Sequence, residues 1–136
     1  MQASATWISK DVTEDRFVGV SSSGHAIVVD ASEVKLANSP MELVLIGLCG
    51  CTASDVTTIL RKKRESFTLL EVCALAERAP DIPRVFTAIK LLYRVSSTVS
   101  HKSMEDAVRL SKSKYCSVSQ MLGKSVAITA EIEYVD

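Results

Sequence analysis

The chain has no excess of charge of either sign, because 16 basic and 16 acidic side chains cancel over 136 residues. That absence removes the long-range attraction that would draw it to nucleic acid or to an anionic membrane surface. A long apolar run is also missing. The longest unbroken one, Leu43 to Cys49, is far short of the ~20 residues that span a bilayer, and the N-terminus shows no basic-then-apolar leader pattern. The expectation is a cytoplasmic protein with neither nucleic acid nor membrane as a partner. No Gly-x-Ser-x-Gly elbow occurs, which excludes the usual serine hydrolase, and no glycine-rich loop is present to cradle a phosphate. His25, His101, Cys49 and Cys51 show no zinc-like spacing, so no metal site is expected. Internal repeats and low-complexity segments are absent.

What is present is an ordinary soluble composition, 47% apolar and 24% charged, at a length that supports one domain, residues 1–136, with a real core. The four cysteines would be reduced in the cytosol. A thiol there is structural, metal-binding or chemically active, and its surroundings decide which.

The chain is organised around one helix that starts at Ser39. Ser39 supplies an N-cap, Pro40 a preset first helical position and Glu42 the acid of a capping box. Leu43, Val44, Leu45, Ile46 and Leu48 make its first turns apolar on every side, which suits a helix surrounded by protein. It runs to about Arg64, where Arg61, Lys62, Lys63 and Arg64 suit the negative end of the helix dipole. Cys49 and Cys51 lie about 200° apart around its axis, so at most one of them faces a given pocket.

Three extended pieces precede the helix: Ala3 to Ser9, Asp15 to Ser21 and His25 to Asp30, with a turn at Ser22-Ser23-Gly24. Strands follow at Phe67 to Arg78 and Arg84 to Ser96, then helical spacing over Ser103 to Leu110. A short helix over Cys116 to Leu122 ends at Gly123, and a last strand covers Ser125 to Val135. The order βββ-α-ββ-α-α-β indicates an α+β fold with mostly antiparallel pairing. Cys116 opens a helical turn with Lys112, Lys114 and Lys124 near it in sequence, all of which favour a thiolate. Cys49 and Cys73 read as packing.

Ser39-Pro40-Met41-Glu42-Leu43, Cys51 eleven residues after the proline, and Lys114-Tyr115-Cys116-Ser117-Val118-Ser119 resemble the OsmC/Ohr family of osmotically inducible and organic hydroperoxide resistance proteins. The resemblance covers essentially the whole chain. It is nearest the OsmC-like branch, in which Gly50-Cys51-Thr52-Ala53 and Asp55 follow the apolar turn and Gly24-His25-Ala26-Ile27-Val28 precede it. It implies an intertwined homodimer with two sheets enclosing two central helices, and a thiol peroxidase. Cys51 would attack an organic or lipid hydroperoxide, Cys116 would resolve the sulfenic acid as a disulfide, and a dithiol would return the electrons. Such a cycle needs no cofactor.

In the family's peroxidases an arginine from the N-terminal strands and a glutamate directly after the proline activate the cysteine. Here the arginine's place falls near Ser22 and Ser23, and Met41 follows Pro40 with the acid displaced to Glu42. Arg16 is the candidate to reach in from the strands. Asp55, one turn after Cys51 on the same helix face, disfavours a thiolate and could instead hold a cation such as Arg16 or Arg94. The alternative function is a binding or redox-sensing protein on the same fold, with an apolar pocket for a small ligand. A peroxidase should have a thiol that alkylates below the ordinary cysteine pKa of ~8.5.

Overall fold

A computed structural model describes residues 1–136, which fall into two compact units, Met1–Leu45 and Ile46–Asp136. The first is an antiparallel meander of β1 (Ala3–Trp7), β2 (Arg16–Ser21) and β3 (Ala26–Asp30), in that spatial order. Gly24, with φ at +82°, makes the β2–β3 turn possible, and the Ser21 N–H donates to the His25 carbonyl across it at 3.1 Å. The β1–β2 loop is held by the Trp7 indole N–H, which donates to the Glu14 carbonyl at 3.0 Å. At the end of β3 the wholly buried Asp30 accepts from the backbone N–H groups of Leu36 and Ser32 and from the Arg16 guanidinium. The Leu36 N–H foremost, with Ser32 and Arg16, holds its carboxyl well below the usual range.

Helix α1 (Pro40–Lys62) begins as its capping residues dictate: the Ser39 N–H donates to Glu42 Oε2 at 2.7 Å, and the Glu42 N–H to Ser39 Oγ at 3.3 Å. It ends at Arg64, whose φ of 58° is left-handed, where the Glu65 N–H closes on the Leu60 carbonyl at 3.0 Å. By length and composition this helix could cross a membrane. Its buried stripe of Leu48, Thr52, Val56 and Leu60, four residues apart, instead belongs to the core of the second unit. Val44 and Ile46 on its early turns remain exposed within the single chain.

The second sheet has the order β4 (Leu70–Arg78), β5 (Phe86–Ser96), β6 (Ala127–Val135). Central β5 buries Phe86, Ile89, Leu91, Tyr93 and Val95. A register shift opposite Glu77 and Arg78 leaves Thr87 unpaired, which lets Phe86 and Ile89, three apart, both be buried. The opposite face carries Lys90 and Arg94, paired with Glu131 and with Glu71 and Glu133.

β4 and β5 pair antiparallel, but β6 lies parallel to β5, because a helical crossover returns the chain to the same end of the sheet. That crossover is α2 (His101–Leu110), a π-helical turn (Ser111–Tyr115) and α3 (Ser117–Leu122). α2 is capped by Ser100 and buries Met104, Ala107 and Val108. The predicted order of elements is the observed one, and the π-turn is what the sequence reading did not contain. The α+β class is the expected one, built here from two three-stranded sheets and the long helix α1.

Candidate functional site

Two chain segments meet at the site. α1 contributes Cys51 and, one turn later, Asp55. The crossover contributes Ser111 at the start of the π-turn and Cys116 at its end. The π-turn closes through the Cys116 N–H donating to the Ser111 carbonyl at 2.8 Å. Single π-turns of this kind recur at functional sites, because the added residue redirects the side chains that follow. The result is that Cys51 Sγ, an Asp55 carboxylate oxygen and Cys116 Sγ all lie within 4.8 Å of one another. Cys116 is wholly buried, while Cys51 and Asp55 are half-buried. All four cysteines are free thiols.

Cys116 is itself the N-cap of α3, and its sulfur accepts from the Ser119 N–H at 3.4 Å. Burial nevertheless pushes the Cys116 thiol above its ordinary range; the Ser119 hydrogen bonds oppose this and the adjacent Cys51 adds to it. The lysines near it in sequence were expected to favour its thiolate. Instead Lys112 donates to the Ile128 carbonyl and Lys114 lies 5.3 Å from the Tyr115 ring centroid. Desolvation therefore prevails over proximity in sequence.

Behind the thiols runs a chain of hydroxyls that sequence reasoning missed. Ser111 Oγ donates to Asp55 Oδ2 at 2.9 Å, Thr52 Oγ1 lies 2.8 Å from Ser111 Oγ, and Tyr93 Oη lies 2.7 Å from Thr52 Oγ1. Thr52 sits on the buried stripe of α1 and Tyr93 on the buried face of β5. Their periodicity marked them as inward-facing, and a buried hydroxyl needs a partner, which was the available signal. Beside Asp55 is a cavity of about 400 Å³, walled by Ile59, Leu110 and Tyr115, with Lys62 and Lys63 also lining it.

The remaining predicted residues have other partners. Arg16 donates to Asp30 at 3.0 Å and to Glu14 at 2.9 Å, and the Glu42 carboxylate is held in the capping box. Arg94, proposed as a cation for Asp55, is on the other face of β5 from Tyr93 and pairs with Glu71 and Glu133, because strand alternation turns it outward. Cys49 is half-buried, and burial, with Cys73 nearby, raises its pKa. Cys73 donates to Glu71 Oε1 at 3.4 Å, which keeps its proton on.

The model of the OsmC-like protein family matches residues 32–131. The chain belongs to this family. Protein YhfA of Escherichia coli K12 is 42% identical over 136 residues, covering 99% of this chain and 98% of its own. Among solved structures, a hypothetical protein from Aquifex aeolicus VF5 is 27% identical with a TM-score of 0.85, over 99% of this chain and 97% of that one. An organic hydroperoxide resistance protein from Elizabethkingia anophelis has a TM-score of 0.75 at 13% identity, over 98% of this chain and 94% of that one. The last is a likeness of fold alone. Both thiols of the site lie inside the span that the OsmC-like family model covers.

Proposed function

We propose that this OsmC-like protein reduces organic or lipid hydroperoxides through a two-cysteine cycle, in defence against oxidative stress. The observation that carries the reading is the approach of Cys51 and Cys116, with sulfurs no more than 4.8 Å apart, one half-buried and the other wholly buried. The more accessible Cys51 thiolate attacks the peroxide O–O bond. It becomes a sulfenic acid, and the departing alkoxide takes a proton to leave as the alcohol. Cys116 then attacks the sulfenic sulfur, forming the disulfide and releasing water. A dithiol reductant restores both thiols and is itself oxidised to a disulfide. Bonding the sulfurs requires a closure of up to about 2.7 Å, to a normal S–S length of ~2.05 Å.

The cavity beside Asp55 suits a small apolar hydroperoxide, and Asp55 serves as a positioning group. Arg16 and Glu42 are further supporting residues in this proposal, and each would have to exchange its present partner to act. The two compact units act as one OsmC-like domain. The working form is a homodimer, which the exposed Trp7, Ile27, Val28, Val44 and Ile46 support, and its compartment is the reducing cytoplasm. Sedimentation at low micromolar concentration tests the dimer, which a folded monomer would exclude.

The test of the cycle is intact mass with thiol counting after one equivalent of cumene hydroperoxide, beside Cys51→Ser and Cys116→Ser. The expected result is loss of two hydrogens and two thiols in the wild type and formation of no intramolecular disulfide in either variant. An unchanged wild-type mass and thiol count would overturn the cycle. It would favour the second reading, a small-ligand-binding or redox-sensing protein, which the same cavity supports.

A further inference from the structure

Asp55 stands beside both sulfurs of the site, its carboxylate oxygen within 4.8 Å of each. A carboxylate brings no positive charge to a thiolate. Ser111 nevertheless fastens it there, donating to Oδ2 at 2.9 Å, and the hydroxyl chain from Tyr93 stands behind Ser111. Lys112, Lys114 and Arg94, which could have supplied positive charge from this unit, are engaged with the Ile128 carbonyl, the Tyr115 ring and the Glu71 and Glu133 carboxylates. The triad is a set of three convergent donors, anionic when the thiols ionise; of the two lysines that line the cavity beside Asp55, Lys63 pairs with Asp106, and Lys62 is the nearby cation a bound metal would share the site with.

We propose that the reduced site binds a thiophilic divalent cation of the zinc class through Cys51 Sγ, Cys116 Sγ and an Asp55 carboxylate oxygen. Tetrahedral zinc takes sulfur at ~2.3 Å and carboxylate oxygen at ~2.0–2.2 Å, so its donors lie roughly 3.5–3.8 Å apart. A triad already within 4.8 Å needs a contraction of no more than about 1.0–1.3 Å. The fourth position falls to water. Ser111 acts as an outer hydrogen-bond partner that orients the carboxylate, as such partners do in known metal sites. Binding exchanges two thiol protons for one metal ion, so two protons are released per ion bound. The Cys51–Cys116 disulfide removes two of the three donors, so oxidation and metal binding exclude each other.

The experiment titrates cobalt(II) into the reduced, metal-free full chain. The expected result is one equivalent bound per chain, a thiolate-to-cobalt charge-transfer band in the near ultraviolet, release of two protons, and loss of the band when zinc is added. The band should vanish in Cys51→Ser and in Cys116→Ser, weaken in Asp55→Asn, and persist in Cys49→Ala and Cys73→Ala. Ser111→Ala should lower affinity by about 10–100-fold. A reduced, folded wild type that gives no band overturns the proposal, as does a band lost in Cys49→Ala but kept in Cys51→Ser. Because a variant can fail to fold, wild-type protein carrying the Cys51–Cys116 disulfide provides a second check, and cobalt bound there with unchanged affinity also overturns it. The peroxidase reading has its own readout: thiol loss to peroxide without cobalt binding removes only the metal site, and cobalt binding without peroxide-driven disulfide formation removes only the peroxidase.

Discussion

The hydroxyl of Thr52 donates to that of Ser111 across 2.8 Å, and the direction follows from the ends of the chain. Asp55 accepts only, so Ser111 spends its one proton on the carboxylate; Thr52 must then donate to Ser111, and Tyr93 to Thr52. Three hydroxyls thus point their dipoles at one carboxylate, tying β5, α1 and the π-turn together at the level of the thiols. Such chains strengthen cooperatively in a dry interior.

Thr52→Val leaves the buried Tyr93 hydroxyl without its partner and should cost ~1–3 kcal/mol. Tyr93→Phe leaves Thr52 still bonded to Ser111 and should cost ~0.5–1.5 kcal/mol. Urea unfolding ranks the two, and a larger loss in Tyr93→Phe would contradict the direction assigned to the chain.

Cys49 and Cys73 are each pushed above the ordinary thiol range, by burial at Cys49 and by the Glu71 hydrogen bond at Cys73. Neither is expected in the redox cycle. After one equivalent of hydroperoxide, Cys49→Ala and Cys73→Ala should each still lose two thiols, as thiol counting would record. A variant that loses none would move the cycle to a different pair.

Asp106 joins Lys63 at the end of α1 to Arg109 and Lys102 on α2. Lys63 above all, then Arg109, holds its pKa at about 2. Against an unfolded value of ~3.9, ionised Asp106 favours the folded state at neutral pH. That contribution declines as pH falls from ~4 and is gone once pH has passed below the folded value of about 2. Subtracting the stability profile of Asp106→Asn from that of the wild type should give a difference that is flat above pH ~5 and falls with acid. A difference that grows with acid would reverse the sign assigned here.

Arg64 closes α1 with φ at 58°, a conformation that disfavours any side chain with a Cβ. Arg64→Gly relieves that strain and should gain up to about 1 kcal/mol after the added flexibility of the unfolded chain is subtracted. Arg64→Ala removes the same charge without the relief, so thermal melting of the pair separates the two effects.

Much of the fold was legible because its signals are local. The Ser39-Pro40-Glu42 start is chemistry within four residues, and it forms as expected. The β5 alternation announced its buried face, and Gly24 marked its turn. The parallel placement of β6 and the π-turn were not legible, since both depend on where the crossover returns the chain. At the site, the resemblance named Cys51 and Cys116 as partners, and the fold sets their sulfurs side by side. Ser111 carried no local mark, because its importance lies in an Asp55 partner 56 residues away.

The sequence by itself determined which segments are helix and strand, which faces they bury and which family the chain resembles, because capping, periodicity and motif spacing act over a few residues. Only the tertiary structure decided that Cys116 is buried with a raised pKa despite its neighbouring lysines, that Arg94 turns away from Asp55, and that two thiols and a carboxylate converge. Desolvation and side-chain geometry are set by what packs around a group from distant parts of the chain, and no spacing along the sequence encodes them directly.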